Sequence, residues 1–279
     1  MILNDEGKNV IYKKITDGIC KYGTTLEEAF MGKIPCNPNL IREFVVIAPF
    51  WKPAIFADSF DDIIPLVNDM AWDIIAGSFK FTYIRTSIGA PRTGDTILAL
   101  GLSKCKNALF IGSVGALASK MGIGDVIIPE YSIAGDGYSR YLTDRTLKEN
   151  DCFTEKILPD AGLYSKLGDA INNLSETDEI NIHKGRVFSI DTIFAQFAHI
   201  DEIRGYGCNY IEMETAAFFR ASAVTGINAA ALLQVSDNTI TNKSLYSGRT
   251  ENDQAYRKNV REKFFPKVIL KMCEVISAI

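Results

Sequence analysis

The residues with the most chemical potential fall in a few short segments. The first is 211–217, IEMETAA, which sets a glutamate on each side of a methionine where an apolar run gives way to small residues. Acidic side chains at a helix start are favoured by the helix dipole alone. Two of them at i and i+2 can do more, because a carboxylate accepts two hydrogen bonds from a vicinal diol of the kind a ribose presents. Met213 would then offer the sugar face an adaptable apolar surface. The segment 235–239, VSDNT, places Asp237 at the end of an apolar run. Burial there would raise its pKa and let it hand a proton to a leaving group. An Asx-turn is the other common use of such an aspartate. In 111–117, IGSVGAL, followed by GDVIIP at 124–129, glycines after a buried strand would let main-chain N–H groups approach an anion. The Ser113 hydroxyl adds a donor, although a tight turn packed on a sheet explains the same residues. The spacing matches neither GxGxxG nor a Walker loop. Lys52, Arg85 and Arg92 stand near expected loop ends, as solvated charges or as the lining of an anion site beside Ser113.

These segments need a scaffold, and the apolar pattern supplies one. Residues 43–48, 108–112 and 229–235 are short, β-branched or small apolar runs that read as buried strands, and 124–129 reads as a short strand entered from a turn. Residues 81–87, 184–190 and 210–211 add further strands. Helices are expected over 57–71 (interrupted near Pro65), 95–104, 161–173, 212–225 and 253–277, the last broken near Pro266. A Gly/Pro-rich turn is expected at 89–94. Ile34-Pro35 and Asn37-Pro38 mark residues 1–42 as an irregular extension ahead of one domain over 43–279. Strands that alternate with helices and are apolar on both faces imply an α/β sheet covered on both sides. Sites in such sheets form at the carboxyl ends of strands, where Gly112-Ser113, the Ile211–Glu214 junction and Ser236-Asp237 stand.

Composition narrows the class. A 279-residue chain with 47% hydrophobic residues can bury a large core. With a net charge of −4 and no basic run, a nucleic-acid groove is not expected. No apolar window is long enough for a membrane span, and the first residues do not read as a secretory signal. Cys20, Cys36, Cys105, Cys152, Cys208 and Cys273 are scattered with no CxxC pair, as in a reducing, cytoplasmic setting. With only His183 and His199 beside them, no metal site is expected.

Taken together, GSVGAL with GDVIIP, IEMETAA and the VSD strand end resemble the purine nucleoside and uridine phosphorylase superfamily, which includes nucleosidases acting on methylthioadenosine and on AMP. The resemblance runs over about residues 43–277. It implies a three-layer α/β/α fold with a central mixed, twisted sheet, and a homo-oligomer, dimeric or hexameric. It also implies cleavage of the N-glycosidic bond of a nucleoside, with purine favoured by Asp237. Under it, Glu214 would bond the ribose hydroxyls and Met213 would pack on the sugar. Glu212 would lie near the base, Asp237 would protonate it at N7, and Ile193 or Phe194 would stack on it. Ser113, Gly112, Lys52 and Arg92 would hold phosphate. No cofactor is implied, with inorganic phosphate as co-substrate of a phosphorolysis giving free base and ribose 1-phosphate.

Two positions depart from the family pattern. Phe110 stands where phosphorylases carry a strand arginine, and residues 48–52, APFWK, replace the glycine–aspartate–proline phosphate loop with only Lys52 at its cationic end. Hydrolysis by a nucleosidase acting on a nucleoside or nucleotide is therefore the alternative. A non-catalytic nucleoside-binding relative is the second.

Overall fold

Apolar alternation along the strands divides the core into two layers, one on each face of a sheet. The computed structural model describes residues 5–149, 151–175 and 180–277. In chain order the elements are α1 (Asp5–Lys21), α2 (Leu26–Lys33), β1 (Phe44–Ala48), β2 (Asp62–Val67), β3 (Ala71–Ala76), β4 (Phe79–Arg85), α3 (Ala90–Leu100), β5 (Asn107–Ala116), β6 (Val126–Gly135), β7 (Lys156–Ile157), α4 (Ala161–Ser175), β8 (Ile182–Ile190), α5 (Ile200–Gly205), β9 (Tyr210–Glu212), α6 (Thr215–Thr225), β10 (Asn228–Asn238) and α7 (Glu251–Ser277). Along β5, Ala108, Phe110, Val114 and Ala116 pack with α1, α2, α3 and α6, whereas Leu109 and Ile111 pack with α4 and α7. Along β10, Ala229, Ala231, Leu233 and Val235 join the first layer, and Ala230 and Leu232 the second. A period of two along the continuous apolar stretches of these strands is what a sheet covered on both faces requires.

The sheet is mixed. β5 lies parallel to β1 on one side and to β10 on the other, and β1 continues through parallel β4 into the antiparallel strands β3 and β2. β10 also pairs with β6, β6 with β8, β8 with β9, and β9 returns to β5. Five strands thus close a circuit, which leaves no free edge at that end of the sheet. The carboxyl ends of β5, β9 and β10 are drawn together by this closure, since Gly115 pairs both with Ile211 and with Asp237.

Several local expectations are corrected. Residues 57–71 do not form a helix: a 3-10 segment over Pro53–Ser59 leads into β2, and Pro65 sits within that strand. Among the described residues β2 pairs with β3 alone, so Pro65 stands on an edge strand, where a proline is tolerated. The stretch before residue 42 is not loop-like as a whole, since α1 and α2 occupy it and α2 starts on a Thr25–Glu28 capping box. Residues 89–94 are not a separate turn. Gly89, at φ 105°, caps α3, and Pro91 falls in its first turn. The small residues after Gly112 continue β5 rather than forming a loop. α7 runs unbroken through Pro266, which is buried with Phe264, Phe265, Val268 and Ile269 against the sheet. Burial of that face, at about 1.5–3 kcal/mol per large side chain, outweighs the hydrogen bond that the proline omits.

Phe110 is part of the core and not of a phosphate site. It is 1% exposed, its ring centroid lies 5.4 Å from that of Phe218, and it folds over Gly112. A Cβ on Gly112 would lie 2.8 Å from the Phe110 ring. Gly112→Ala is therefore expected to cost about 1–3 kcal/mol in urea unfolding. Gly112→Ala combined with Phe110→Leu should recover part of that loss; an Ala variant as stable as the parent would remove the contact from the account.

Candidate active site

The junction of β9 and α6 is organised by one carboxylate. Glu212 accepts the N–H groups of Glu214 and Thr215, each at 2.7 Å, and the Thr215 hydroxyl at 2.8 Å. The Ser189 hydroxyl at the end of β8 also donates to it. Ser189 in turn accepts the N–H of Ala216 at 2.9 Å. Three of the N–H groups that begin α6 are thereby satisfied. Glu212 is buried with its oxygens occupied by protein donors, so it braces this junction rather than facing a base directly.

Glu214, two residues on, is buried in a different setting. Its Oε1 accepts the N–H of Gly89 at 2.7 Å and its Oε2 that of Met213 at 3.3 Å. The left-handed φ of Gly89 aims that N–H at the carboxylate and ties the start of α3 to the start of α6. Each oxygen keeps acceptor capacity for a further donor. Burial and then repulsion from Glu212 push Glu214 well above the ordinary carboxylate range, against the pull of the Gly89 and Met213 N–H groups. Met213, half-buried, stands between the two glutamates.

Asp237 reaches the same end of the sheet from β10. The register slips between Val235 and Asp237, a bulge that sets Asp237 opposite Gly115. A Cβ on Gly115 would lie 3.2 Å from Asp237 Oδ2, so this glycine makes room for the carboxyl group. The Ser236 hydroxyl donates to Oδ1 at 2.6 Å. Burial raises the pKa of Asp237, opposed by the Ser236 bond and by the charges of Arg249 and Arg257. The turn that follows is held by Asn238, whose Oδ1 accepts the N–H groups of Ile240 and Thr241 and whose Nδ2 donates to the carbonyls of Ala118 and Met121. Asn238 thus fills the Asx-turn role, and Asp237 is left for other work.

The remaining expected residues separate. Lys52 Nζ lies 2.6 Å from Asp69, in the β2–β3 turn, and Arg85 donates to the Asp69 carbonyl at 3.1 Å. Both are thus engaged by one hairpin. Arg92 is exposed in the first turn of α3, and its charge acts on Lys33 of α2. Ser113 instead takes its hydrogen bond from Arg257 of α7, with Nη2 to Oγ at 3.0 Å. Ile193 is half-buried and Phe194 is 86% exposed, just beyond β8. Arg249 and Arg257 were not singled out by sequence, and Ser236, Ser189 and Gly89 were given no role of their own there. The four-residue spacing of Arg257 and Arg261, which sets them on one helix face, is the sequence signal that could have marked them.

The chain has relatives among known proteins. The family model described as "Phosphorylase superfamily" matches residues 52–268. A uridine phosphorylase of Thermococcus kodakarensis is 24% identical over 233 residues, covering 81% of this chain and 83% of its own. A DeoD-type purine nucleoside phosphorylase of Aliivibrio fischeri is 30% identical over 193 residues, covering 67% and 76%. Among solved structures, uridine phosphorylase from Vibrio fischeri superposes with a TM-score of 0.69 at 18% identity, over 86% of this chain and 95% of that one. AMP nucleosidase from Bacteroides thetaiotaomicron gives 0.69 at 17% identity, over 91% and 98%. By a family signature that spans most of its length, on a sheet of the same fold, the chain belongs to the phosphorylase superfamily.

Proposed function

We propose that this protein cleaves the N-glycosidic bond of a purine nucleoside by phosphorolysis, releasing free base and ribose 1-phosphate. The observation that carries the reading is the buried Asp237 carboxyl group at the same strand ends as Glu214, with two guanidinium charges acting on it. As the bond from C1′ to the base nitrogen breaks, its electron pair leaves with the base. Asp237 gives the base a proton at N7, and the carboxylate so formed is stabilised by Arg249 and Arg257. Glu214 holds the ribose hydroxyls, Met213 lies against the sugar, and a phosphate oxygen beside Ser113 takes the anomeric carbon. Ile193 and Phe194 border the base. The exposed aromatic side chains Phe194, Phe197 and Tyr246 would be covered in a homo-oligomer.

Hydrolysis is the second reading, and two observations favour it. Phe110 is locked in the core, and Lys52 is paired with Asp69. A panel of purine and pyrimidine nucleosides, assayed with and without phosphate, decides between them. Phosphorolysis predicts release of base that depends on phosphate and yields ribose 1-phosphate; equal rates without phosphate would assign water as the attacking group. Asp237→Asn should lower kcat by about 10²- to 10⁴-fold with the fold intact by circular dichroism. Unchanged turnover in that variant would remove Asp237 from the chemistry.

The raised pKa of Glu214 has a stability signature. An acid whose folded-state pKa exceeds its unfolded value supports the fold fully below the unfolded value, and that support is lost as pH rises through the folded one. Glu214→Gln imitates the protonated form. Its Tm relative to the parent should be near zero change at about pH 4 and increasingly positive above the ordinary carboxylate range. A difference that does not vary with pH would contradict the burial argument.

A further inference from the structure

The C-terminal helix carries positive charge into the candidate site with little to balance it. Arg257 of α7 donates to Ser113 Oγ at 3.0 Å, and its Nε is buried with no hydrogen-bond partner. Arg261, one turn further, lies 5.8 Å over the Trp51 ring, and its Nε is likewise buried without a partner. Its carboxylate contact is Glu262, its neighbour on the same helix, at 3.1 Å. Arg249 hydrogen-bonds main-chain carbonyls, those of Ser236 and Leu245. The nearby Arg261 and Arg249 charges, added to burial, bring the Arg257 pKa down to about 10, with Asp237 as the opposing charge. Clustered guanidinium groups that mostly meet hydroxyls and carbonyls are a costly arrangement unless an anion joins them.

Position tells which anion fits. Trp51 follows β1 and Ser113 lies near the end of β5, and these two strands are parallel neighbours. Arg257 and Arg261 span the gap between them from the α7 side. Lys52 and Arg85 are held by the Asp69 turn, and position 110 holds a core phenylalanine. The guanidinium fork suits a tetrahedral oxyanion, which it can meet with two parallel hydrogen bonds, and the Ser113 hydroxyl can add a third.

We propose that Arg257 and Arg261 of α7, with Ser113, form a phosphate-binding site at the end of β5, in place of cations from the strands. The assignment rests on the catalytic reading for its purpose, but not for its test. The phosphate group can come from inorganic phosphate as co-substrate or from the 5′-phosphate of a nucleotide. The binding chemistry is the same for both.

Thermal melts of the whole protein read the site without catalysis. Inorganic phosphate, a purine nucleoside 5′-monophosphate and the matching nucleoside are titrated separately, each against sodium chloride at equal ionic strength. A saturable rise in Tm with phosphate, or with the monophosphate well beyond the nucleoside, is expected, and the arm that responds identifies the source. Arg257→Gln should weaken that binding by about 10- to 100-fold, the loss of one charge-assisted contact. Arg261→Gln should weaken it as well, and serves if the first variant folds poorly by circular dichroism. Arg257→Lys should bind more weakly than the parent, since it keeps the charge and loses the fork. No response of the parent to either phosphate beyond chloride overturns the proposal. So does undiminished binding in both glutamine variants, or an Arg257→Gln effect confined to the pH profile of kcat with phosphate affinity unchanged. Phosphate binding that depends on Arg257, in a protein that cleaves no nucleoside, would uphold this site and refute the catalytic reading.

Discussion

The buried carboxylate of Glu212 is the constraint on which the candidate site depends. It takes donors from β8 and from the first turn of α6 while itself belonging to β9. A carboxylate placed there without donors would cost several kcal/mol. With them it holds three elements at one point and satisfies the helix start. It also fixes the backbone that presents Met213 and Glu214. The Gly89 N–H then carries the same order across to α3. Glu212 and Glu214 are two residues apart and have opposite tasks, because one is surrounded by donors and the other keeps room for more.

Asp237 reaches this point by a second device. The closed circuit of five strands brings β10 and β9 to either side of β5, and the slip at Ser236 turns the aspartate toward Gly115. The missing side chain of Gly115 is what lets the carboxyl group sit inside the sheet end. Burial favours its protonated form, while Arg249 and Arg257 favour its charged form. Under the proposed reading, a carboxyl group with a raised pKa is suited to give up a proton. The arginine on Ser113 comes from α7, which packs across the opposite face of the sheet from α3 and α6. The candidate site is thus assembled from both helical layers at the edge where they meet.

Much of this was legible in the order of residues. The buried strands 108–112 and 229–235 and the helices 161–173 and 253–277 follow from apolar runs and periodicity, and each has its counterpart in the structure. The region around Pro65 was not legible, because Ile63, Ile64 and Val67 satisfy a helical stripe and a strand equally well. Pairing with β3 decided between them. α1 and α2 were obscured by the prolines that follow them, and a proline marks where a helix must stop without excluding one before it. The cations were the largest omission. Ser113 and Arg257 are 144 residues apart, and no local pattern reports a contact of that range.

The sequence by itself determined the class of fold and the chemical types at the strand ends: two glutamates around a methionine, an aspartate after an apolar run, and a serine among glycines. These follow from local preference and from the need to bury apolar faces, which short segments carry in full. Tertiary structure alone decided the roles within each set. It gave Glu212 its donors and left Glu214 with acceptor capacity. It assigned the turn to Asn238 and freed Asp237, engaged Lys52 with a hairpin, and brought Arg257 to Ser113. The reason is that donors, neighbouring charges and burial are properties of an assembled environment. A side chain's type states what it can bond, and only its neighbours state what it does.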